Sequence, residues 1–302
     1  MNLQMREVEN SAELGLPRYD YGFVGNAIDD RTTDANAFIT SVSNEVLQIE
    51  YNTENFEIQL NGETFDAEDL SDKLQFCEGK SAIIESTSIG FVEIFLLCKA
   101  FKERGVENFD ILYVEPLNYK NMGRSKLLHR RDFELTEEFP PNYIGIPGAT
   151  ILLSDRQPQR GIFFLGYEQQ RLDRALENHS MINPGKCNVV FGVPAFKPGW
   201  EMNAFANNIR VIRDKNIRGG ISFCGAENPK ATVSLLQEAQ RSLQPGEKLF
   251  IAPIGTKPNG VGVALFTALN ADVALLYDHP VKSVGRSSQV SKWHLYRVQE
   301  YK

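Results

Sequence analysis

Continuous apolar runs that end in small or turn-forming residues recur along the chain, a pattern typical of strands buried in a parallel sheet. Eight such segments lie at 21–24, 81–84, 109–114, 162–165, 188–191, 221–223, 249–252 and 273–277. Amphipathic patterns with helical spacing separate many of them, most clearly at 91–104, 169–178, 201–213, 229–243 and 259–269. Strands and helices that alternate at this spacing predict βαβ units and a mainly parallel sheet, so the predicted fold class is α/β.

Two segments depart from this alternation. Residues 55–60 and 64–65 flank an Asn-Gly pair at 61–62, which predicts an inserted β-hairpin. From 137 to 159 proline and glycine are frequent and the periodicity fades, so we expect a linker there.

Composition and charge narrow the class of protein. With 42% apolar residues in 302, the chain can fill a large core, which excludes general disorder. A formal charge of -7 argues against binding nucleic acid by bulk charge. Neither an apolar run of about 20 residues nor a signal peptide is present in the sequence, so we expect a cytoplasmic protein that does not insert into a membrane.

The sequence contains no pattern typical of a metal-binding site or a redox-active cysteine pair. The four cysteines form no close pair, so we interpret them as buried, reduced thiols, and the four histidines show no metal-ligand spacing. Asp29, Asp30 and Asp34 are acidic residues that could bind a metal, but a helix cap explains them equally well, and we favour the cap. We therefore expect no metal site, and the sequence identifies no cofactor.

The chain also repeats parts of itself. Three matched pieces occur in the same order in both halves, together with similar strand–loop–helix segments between them. The matched pieces are 23–38 with 190–205, 111–116 with 275–280, and the Gly-Arg-Ser triplets at 123–125 and 285–287. We interpret them as an internal duplication of a Rossmann-like unit, giving two mainly parallel sheets related by a pseudo-two-fold axis. The halves would be 1–145, with the hairpin insertion, and 146–302. The alternative is that any two βαβ domains share glycines after strands and apolar helices.

Loops at the carboxyl ends of parallel strands are where ligands bind in open α/β sheets. Thr87 and Ser88 follow one predicted strand, and Gly255, Thr256 and Lys257 follow another; both loops lead into a helix. Such turns direct backbone N–H groups and the positive end of the helix dipole towards an anion, and hydroxyls and a lysine add further donors. Ordinary helix capping is the alternative for each loop, although capping does not account for Lys257.

The repeated Gly-Arg-Ser triplet places Arg124 and Arg286 after strands that end at the same edge of the sheet. A planar guanidinium can hold a phosphate or carboxylate with two hydrogen bonds. A solvated arginine in a surface turn is the alternative for each.

Candidates for catalysis are few. Asp278 and His279 follow the last predicted strand, where a general base could lie, and a purely structural role is the alternative. The sequence lacks a nucleophile elbow and a zinc-protease motif.

The segment 253–269, a strand leading into Gly255-Thr256-Lys257 and a helix of small residues, resembles the CARF-type Rossmann-like domains of CRISPR-associated effectors. In that family a similar Gly-Thr-Lys turn contacts a cyclic oligoadenylate. The resemblance covers about 20 residues and implies a nucleotide-sensing role for this turn.

These observations lead to one expected function and two alternatives. We expect the chain to bind an anionic small molecule, phosphate-bearing and nucleotide-like, at the strand-end loops. Thr87, Ser88, Thr256 and Lys257 would receive the anion, and Arg124 and Arg286 would clamp it. The alternatives are a transferase or hydrolase acting on a nucleotide-like substrate, with Asp278 or His279 as acid or base, and a partner-binding subunit of a larger assembly or homodimer. The fold alone does not decide among them.

Overall fold

The computed structural model of the protein describes residues 1–119, 121–124, 131–133, 135–140, 144–149, 159–179 and 181–302, with backbone alone for 121–124 and 131–133. The chain folds into two compact units. Unit 1 comprises Met1–Tyr119 and Val284–Lys302, and unit 2 comprises Lys120–Ser283.

Unit 1 is built on an eight-stranded mixed sheet. With strands and helices numbered along the whole chain, its elements are β1 (Asn2–Val8), β2 (Tyr19–Val24), α1 (Asp30–Val42), β3 (Ser43–Asn52), β4 (Glu57–Leu60), β5 (Glu63–Asp66), α2 (Leu70–Lys73), β6 (Ala82–Glu85), α3 (Phe91–Glu103), β7 (Phe109–Tyr119) and β17 (Ser287–Gln299). The strand order is β1-β17-β7-β6-β2-β3-β4-β5, in which β7, β6, β2 and β3 run parallel. The outer strands at both edges are antiparallel.

The core of unit 1 follows from its most apolar segments. β6 is buried along its whole length, and most residues of α3 are buried as well. On α1, Ala35 and Ile39 are four residues apart and therefore on one helical face, and both are inaccessible to solvent, within a cluster that includes Leu112 and Trp293. This packing fixes the first turn of α1 at the carboxyl edge of the parallel strands.

Unit 2 contains a five-stranded parallel sheet and two short antiparallel pairs, β8 with β9 and β10 with β16. Its elements are β8 (Asn121–Arg124), β9 (Arg131–Phe133), β10 (Thr136–Glu138), β11 (Gln159–Leu165), α4 (Gln169–Asn178), β12 (Cys187–Gly192), α5 (Trp200–Asp214), β13 (Gly220–Cys224), α6 (Pro229–Arg241), β14 (Lys248–Ile254), α7 (Lys257–Leu269), β15 (Ala274–Leu275) and β16 (Val281–Lys282). The parallel strands are arranged β13-β12-β11-β14-β15. The chain therefore builds the sheet outward from β11 in one direction and then reverses to place β14 on the other side of β11.

The core of unit 2 lies on this sheet. The inner strands β11 and β14 are buried almost throughout, as their continuous apolar runs predict. Within α7 only the first and last residues, Lys257 and Leu269, escape complete burial, because glycine, alanine and valine let the helix pack closely.

The structure confirms the α/β class, the positions of the eight predicted strands, the five predicted helices and the inserted hairpin β4–β5. The predicted burial is wrong for β13, which is an edge strand whose Ile221 and Phe223 are exposed. The four cysteines are buried thiols, as predicted. Part of the predicted linker, at 141–143 and 150–158, lies outside the described residues. Among the residues described, no helix combines the length and apolar character that crossing a membrane requires.

An internal duplication is not shown. The sequence match pairs β2 with β12 and β6 with β14, yet β2 lies directly beside β6, whereas β11 separates β12 from β14. The compact units also differ from the predicted division at 145/146. They differ because β17, near the end of the chain, pairs along most of its length with β1 and β7.

Candidate functional site

The point at which the strand order of unit 2 reverses lies between β11 and β14, which are paired in parallel from Gln159↔Lys248 to Leu165↔Ile254. Helices α4 and α7 follow these two strands, so both begin at this edge of the sheet. Gly255, Thr256 and Lys257 form the turn from β14 into α7. The structure therefore brings these three predicted residues together at the position where open α/β sheets bind ligands.

Two glycines bring the backbone segments close together at this edge. A Cβ atom on Gly255 would lie 3.2 Å from the carbonyl carbon and oxygen of Phe164. A Cβ atom on Gly166 would lie 3.2 Å from the carbonyl oxygen of Ile254. Since most real Cβ contacts are longer than this, side chains at these positions would force β11 and β14 apart.

Thr256 caps α7. Its hydroxyl accepts a hydrogen bond from the N–H of Asn259, and the same hydroxyl lies 2.6 Å from the carbonyl oxygen of Ala226, to which it donates. The expected hydroxyl donor to a ligand therefore has an acceptor within the protein. The contribution of Thr256 to the site is to fix where α7 begins.

Lys257 is the first residue of α7 and is half-buried, and the first turn of this helix contains no acidic residue. Across the reversal point, Glu168 occupies the N-cap position of α4 without a side-chain capping bond. Its carboxylate instead accepts hydrogen bonds from the N–H of Leu135 at 3.2 Å and the hydroxyl of Thr136 at 2.9 Å. The first turn of α7 therefore contributes the charge of Lys257 to this edge, and the α4 side contributes one carboxylate that is already hydrogen-bonded.

The two catalytic candidates have structural partners. Asp278 is buried and accepts two hydrogen bonds from Arg171 of α4, at 2.8 and 2.5 Å. Burial opposes the positive charge of the Arg171 guanidinium, but the Asp278 carboxylate outweighs this effect and raises the pKa of Arg171 above its usual value. His279 has a left-handed backbone with φ of 44°, and its Nε2 lies 2.8 Å from the carbonyl oxygen of Ile144. These contacts give both residues a structural role, while the expected acid–base role stays a prediction.

In unit 1, Thr87 and Ser88 follow β6 and are buried. Their backbone N–H groups donate to the carboxylate of Glu85, at 2.6 and 2.7 Å, and the Ser88 hydroxyl also contacts it. The hydroxyl of Thr87 accepts from the N–H of Val114 at 2.9 Å. The amide hydrogens that we assigned to a ligand thus bind a carboxylate of the chain itself.

The two Gly-Arg-Ser triplets lie in different units. Arg124 ends β8 in unit 2, and its side chain lies outside the described residues. Arg286 lies in the turn before β17 in unit 1. The N–H of Gly285 donates to the carbonyl oxygen of Ile28 at 2.9 Å, and the Ser287 hydroxyl donates to the Asp29 carboxylate. These two bonds hold Arg286 beside the first turn of α1.

Arg31, in that first turn, is a residue that the sequence analysis did not select. It is 3% exposed, and its Nη1 donates to the carbonyl oxygen of Val114 at 2.8 Å. Its guanidinium lies over the ring of Tyr113, 5.9 Å from the centroid. The acidic turn around it was interpreted as a cap, correctly, because the Asp29 side chain accepts from the N–H of Thr32. A helix cap explains the acidic residues of this turn, but it does not show that the arginine within the turn is buried.

Comparison with known proteins adds little. No protein-family model matches the chain, and neither does any curated protein, so the CARF-type resemblance depends on the segment 253–269 alone. A ketoreductase domain from the bacillaene assembly line is a distant structural match, with 12% identity and a TM-score of 0.22 over 83% of this chain. The match spans 61% of that domain's chain, and a similarity this distant carries no argument about function.

Proposed function

We propose that unit 2 binds a phosphate-bearing, nucleotide-like small molecule at the turn from β14 into α7. The observation that carries this proposal is that the reversal of strand order coincides with the Gly255-Thr256-Lys257 turn. A crevice opens at such a reversal because the helices on either side of it pack on opposite faces of the sheet.

The chemistry of the turn supports an anionic ligand. The α7 dipole places about half a positive charge at its first turn, and Lys257 adds a full one. Gly166 and Gly255 let the ends of β11 and β14 lie close together, which places the N-terminus of α7 at the reversal point. The CARF-type resemblance of the same three residues points in the same direction. Thr256 supports the site indirectly, by capping the helix whose N-terminus would face the phosphate.

Calorimetric titration with ATP, ADP and adenosine tests the proposal. Lys257→Ala should weaken the binding of ATP about tenfold or more, equivalent to about 1.4 kcal/mol, while adenosine, which lacks phosphate, should bind much more weakly than ATP. Lys248→Ala is the matched control, because Lys248 begins the same strand at its opposite end. Equal affinity of the wild type and Lys257→Ala for ATP, or no binding of ATP or ADP by the wild type, would contradict the site.

A second candidate, self-association, is favoured by one surface of unit 2. β13 is an edge strand, and its Ile221 and Phe223 are 45% and 57% exposed. Met202 and Ile209 of α5 are exposed as well, and Phe205 of that helix contacts the Phe223 ring. An edge strand that presents large apolar side chains is prone to pair with another chain.

A second copy of this chain fits that edge. Antiparallel pairing of two β13 strands about Ser222 places each Ile221 opposite the Phe223 of the other copy, on one face of a continuous sheet. We expect sedimentation velocity to detect a dimer that Phe223→Asp converts to a monomer, whereas Phe56→Asp, at an exposed phenylalanine of unit 1, leaves the dimer intact. A wild-type monomer at every concentration tested would exclude this pairing.

A further inference from the structure

Unit 1 contains two arginines whose buried Nε atoms have no hydrogen-bond partner within the described part of the chain. These atoms are the Nε of Arg31 and the Nε of Arg286. The side chain of Arg31 is 4% exposed, so water does not readily compensate for the missing bond. An orphaned N–H on a buried cation is costly, and it indicates an acceptor that the described residues do not supply.

The two arginines share one environment. Tyr113, Tyr119 and Asp29 act electrostatically on both guanidinium groups. Burial, followed by the positive charge of Arg31, lowers the pKa of Arg286 from its usual value. Two like charges held together at the start of a helix favour a counter-anion at the same place.

Carboxylates near this pair do not satisfy the orphaned N–H groups. Asp29 accepts from the N–H of Thr32 at 2.9 Å and from the Ser287 hydroxyl, and its closest approach to the Arg31 guanidinium is an ion pair of 3.9 Å. Glu85, which also acts electrostatically on Arg31, accepts its hydrogen bonds from Thr87 and Ser88.

Glu115 is a further carboxylate in this environment, where it acts electrostatically on Tyr113 and Tyr119. Its Oε2 lies 2.9 Å from Nε2 of His294. The Nε donors of the two guanidinium groups therefore lack an acceptor among the described residues, even though carboxylates lie nearby.

We propose that unit 1 holds a second anion site, in which Arg31 and Arg286 bind a phosphate group at the first turn of α1. A tetrahedral oxyanion offers several acceptor oxygens, so one phosphate can accept from both guanidinium groups, as two separate arginines require. The site is formed by unit 1 alone and does not depend on the proposed nucleotide site of unit 2.

The test is calorimetric titration of the full chain carrying Lys257→Ala, which removes the lysine of the unit 2 site, with inorganic phosphate at constant ionic strength. We expect one phosphate to bind per chain, and Arg286→Gln to weaken this binding at least about tenfold. Arg18→Gln, at an exposed arginine of the same unit, should leave the affinity unchanged. Titration with glycerol 3-phosphate distinguishes a site that admits a phosphomonoester from one that admits only the free ion; either result supports a phosphate site.

Arg286→Lys distinguishes a loss of phosphate binding from a loss of folding, because lysine retains the positive charge but cannot donate two parallel hydrogen bonds. Its affinity for phosphate should lie between those of the parent and Arg286→Gln, with an unchanged circular dichroism spectrum. The proposal is overturned if the parent binds no phosphate, or if both substitutions at Arg286 leave its affinity unchanged.

Discussion

The carboxylate of Glu85 determines which groups remain available for an anion in the loop that follows β6. It accepts hydrogen bonds from the N–H groups of Thr87 and Ser88, which the sequence analysis assigned to an external anion. The sequence shows that such a loop can bind an anion, but it does not show that the anion is the side chain two residues earlier. At Lys257, by contrast, the first turn of the helix contains no carboxylate.

Replacing Glu85 with glutamine should destabilise the protein by about 1.5–3 kcal/mol, because an amide oxygen replaces a charged acceptor and the NH2 group opposes loop donors. Urea unfolding measures this loss. Glu54→Gln, at an exposed glutamate, is the control and should change the free energy of unfolding by less than about 0.5 kcal/mol. Equal stability of the two variants would show that Glu85 does not organise the loop.

Asp29 makes a pH-dependent contribution to stability. Burial opposes its ionisation, but the hydrogen bond from Ser287 and the charge of Arg31 hold the pKa of Asp29 below its usual value of 3.8. A carboxyl group with a lowered pKa in the folded state stabilises the protein above the unfolded-state pKa, and this contribution is lost as the pH falls through the folded-state pKa.

Asp29→Asn retains a good capping residue but removes the charge. Its deficit in the free energy of unfolding relative to the wild type should therefore be largest near pH 7 and should shrink as the pH falls below about 4. Chemical unfolding across this pH range measures the difference. A deficit that is independent of pH would contradict the assigned role of the charge.

At the scale of elements, the local hydrophobic pattern predicted where the helices and parallel strands lie. The five helices and the parallel strands appear at their predicted places, within a few residues at each end, because apolar periodicity reflects local structure. The apolar run at 221–223 was predicted to be buried, yet β13 is an edge strand and is largely exposed. β17 was not among the eight predicted strands, and its partners β1 and β7 lie far away in sequence. Local pattern was enough to select the turn at Gly255 as a candidate site, whereas the neighbourhood of Arg31 and Arg286 depends on a contact between residues 28–29 and 285–287.

Removing β17 should unfold unit 1. Its side chains Tyr296 and Val298 are inaccessible to solvent, and the strand is hydrogen-bonded on both edges. A chain that ends at Ser283 should retain the circular dichroism and slow amide exchange of unit 2 but lose the slowly exchanging amides of β6 and β7. A chain that lacks only the exposed Lys302 is the control. Native exchange of β6 and β7 in the shorter chain would contradict the structural role of β17.

At the scale of the whole chain, unit 2 is an insertion between two paired strands of unit 1. Tyr119, the last residue of unit 1 before the insertion, pairs with Ser287 just after it. Without the insertion, β7 and β17 would form a β-hairpin that a short loop can close. The matched sequence pieces suggested two consecutive halves. They could not reveal the insertion of unit 2, because the insertion depends on the pairing of β7 with β17.

Replacing residues 120–283 with a short glycine-rich loop should give a folded unit 1, since β7 and β17 can pair as a hairpin. The residues 120–283 expressed alone should also fold, because every strand of the five-stranded sheet lies within them. Cooperative thermal unfolding of each protein checks the prediction. Loss of cooperative unfolding in both would contradict the division into two units.

Amide hydrogen exchange of the full chain with and without ATP tests the central claim most directly, because it locates the phosphate in the fold. The account predicts that ATP slows exchange in peptides covering 254–262, where β14 turns into α7, and that this protection is lost in Lys257→Ala at the same concentration. Unchanged exchange at 254–262 while ATP saturates the wild-type protein would contradict it.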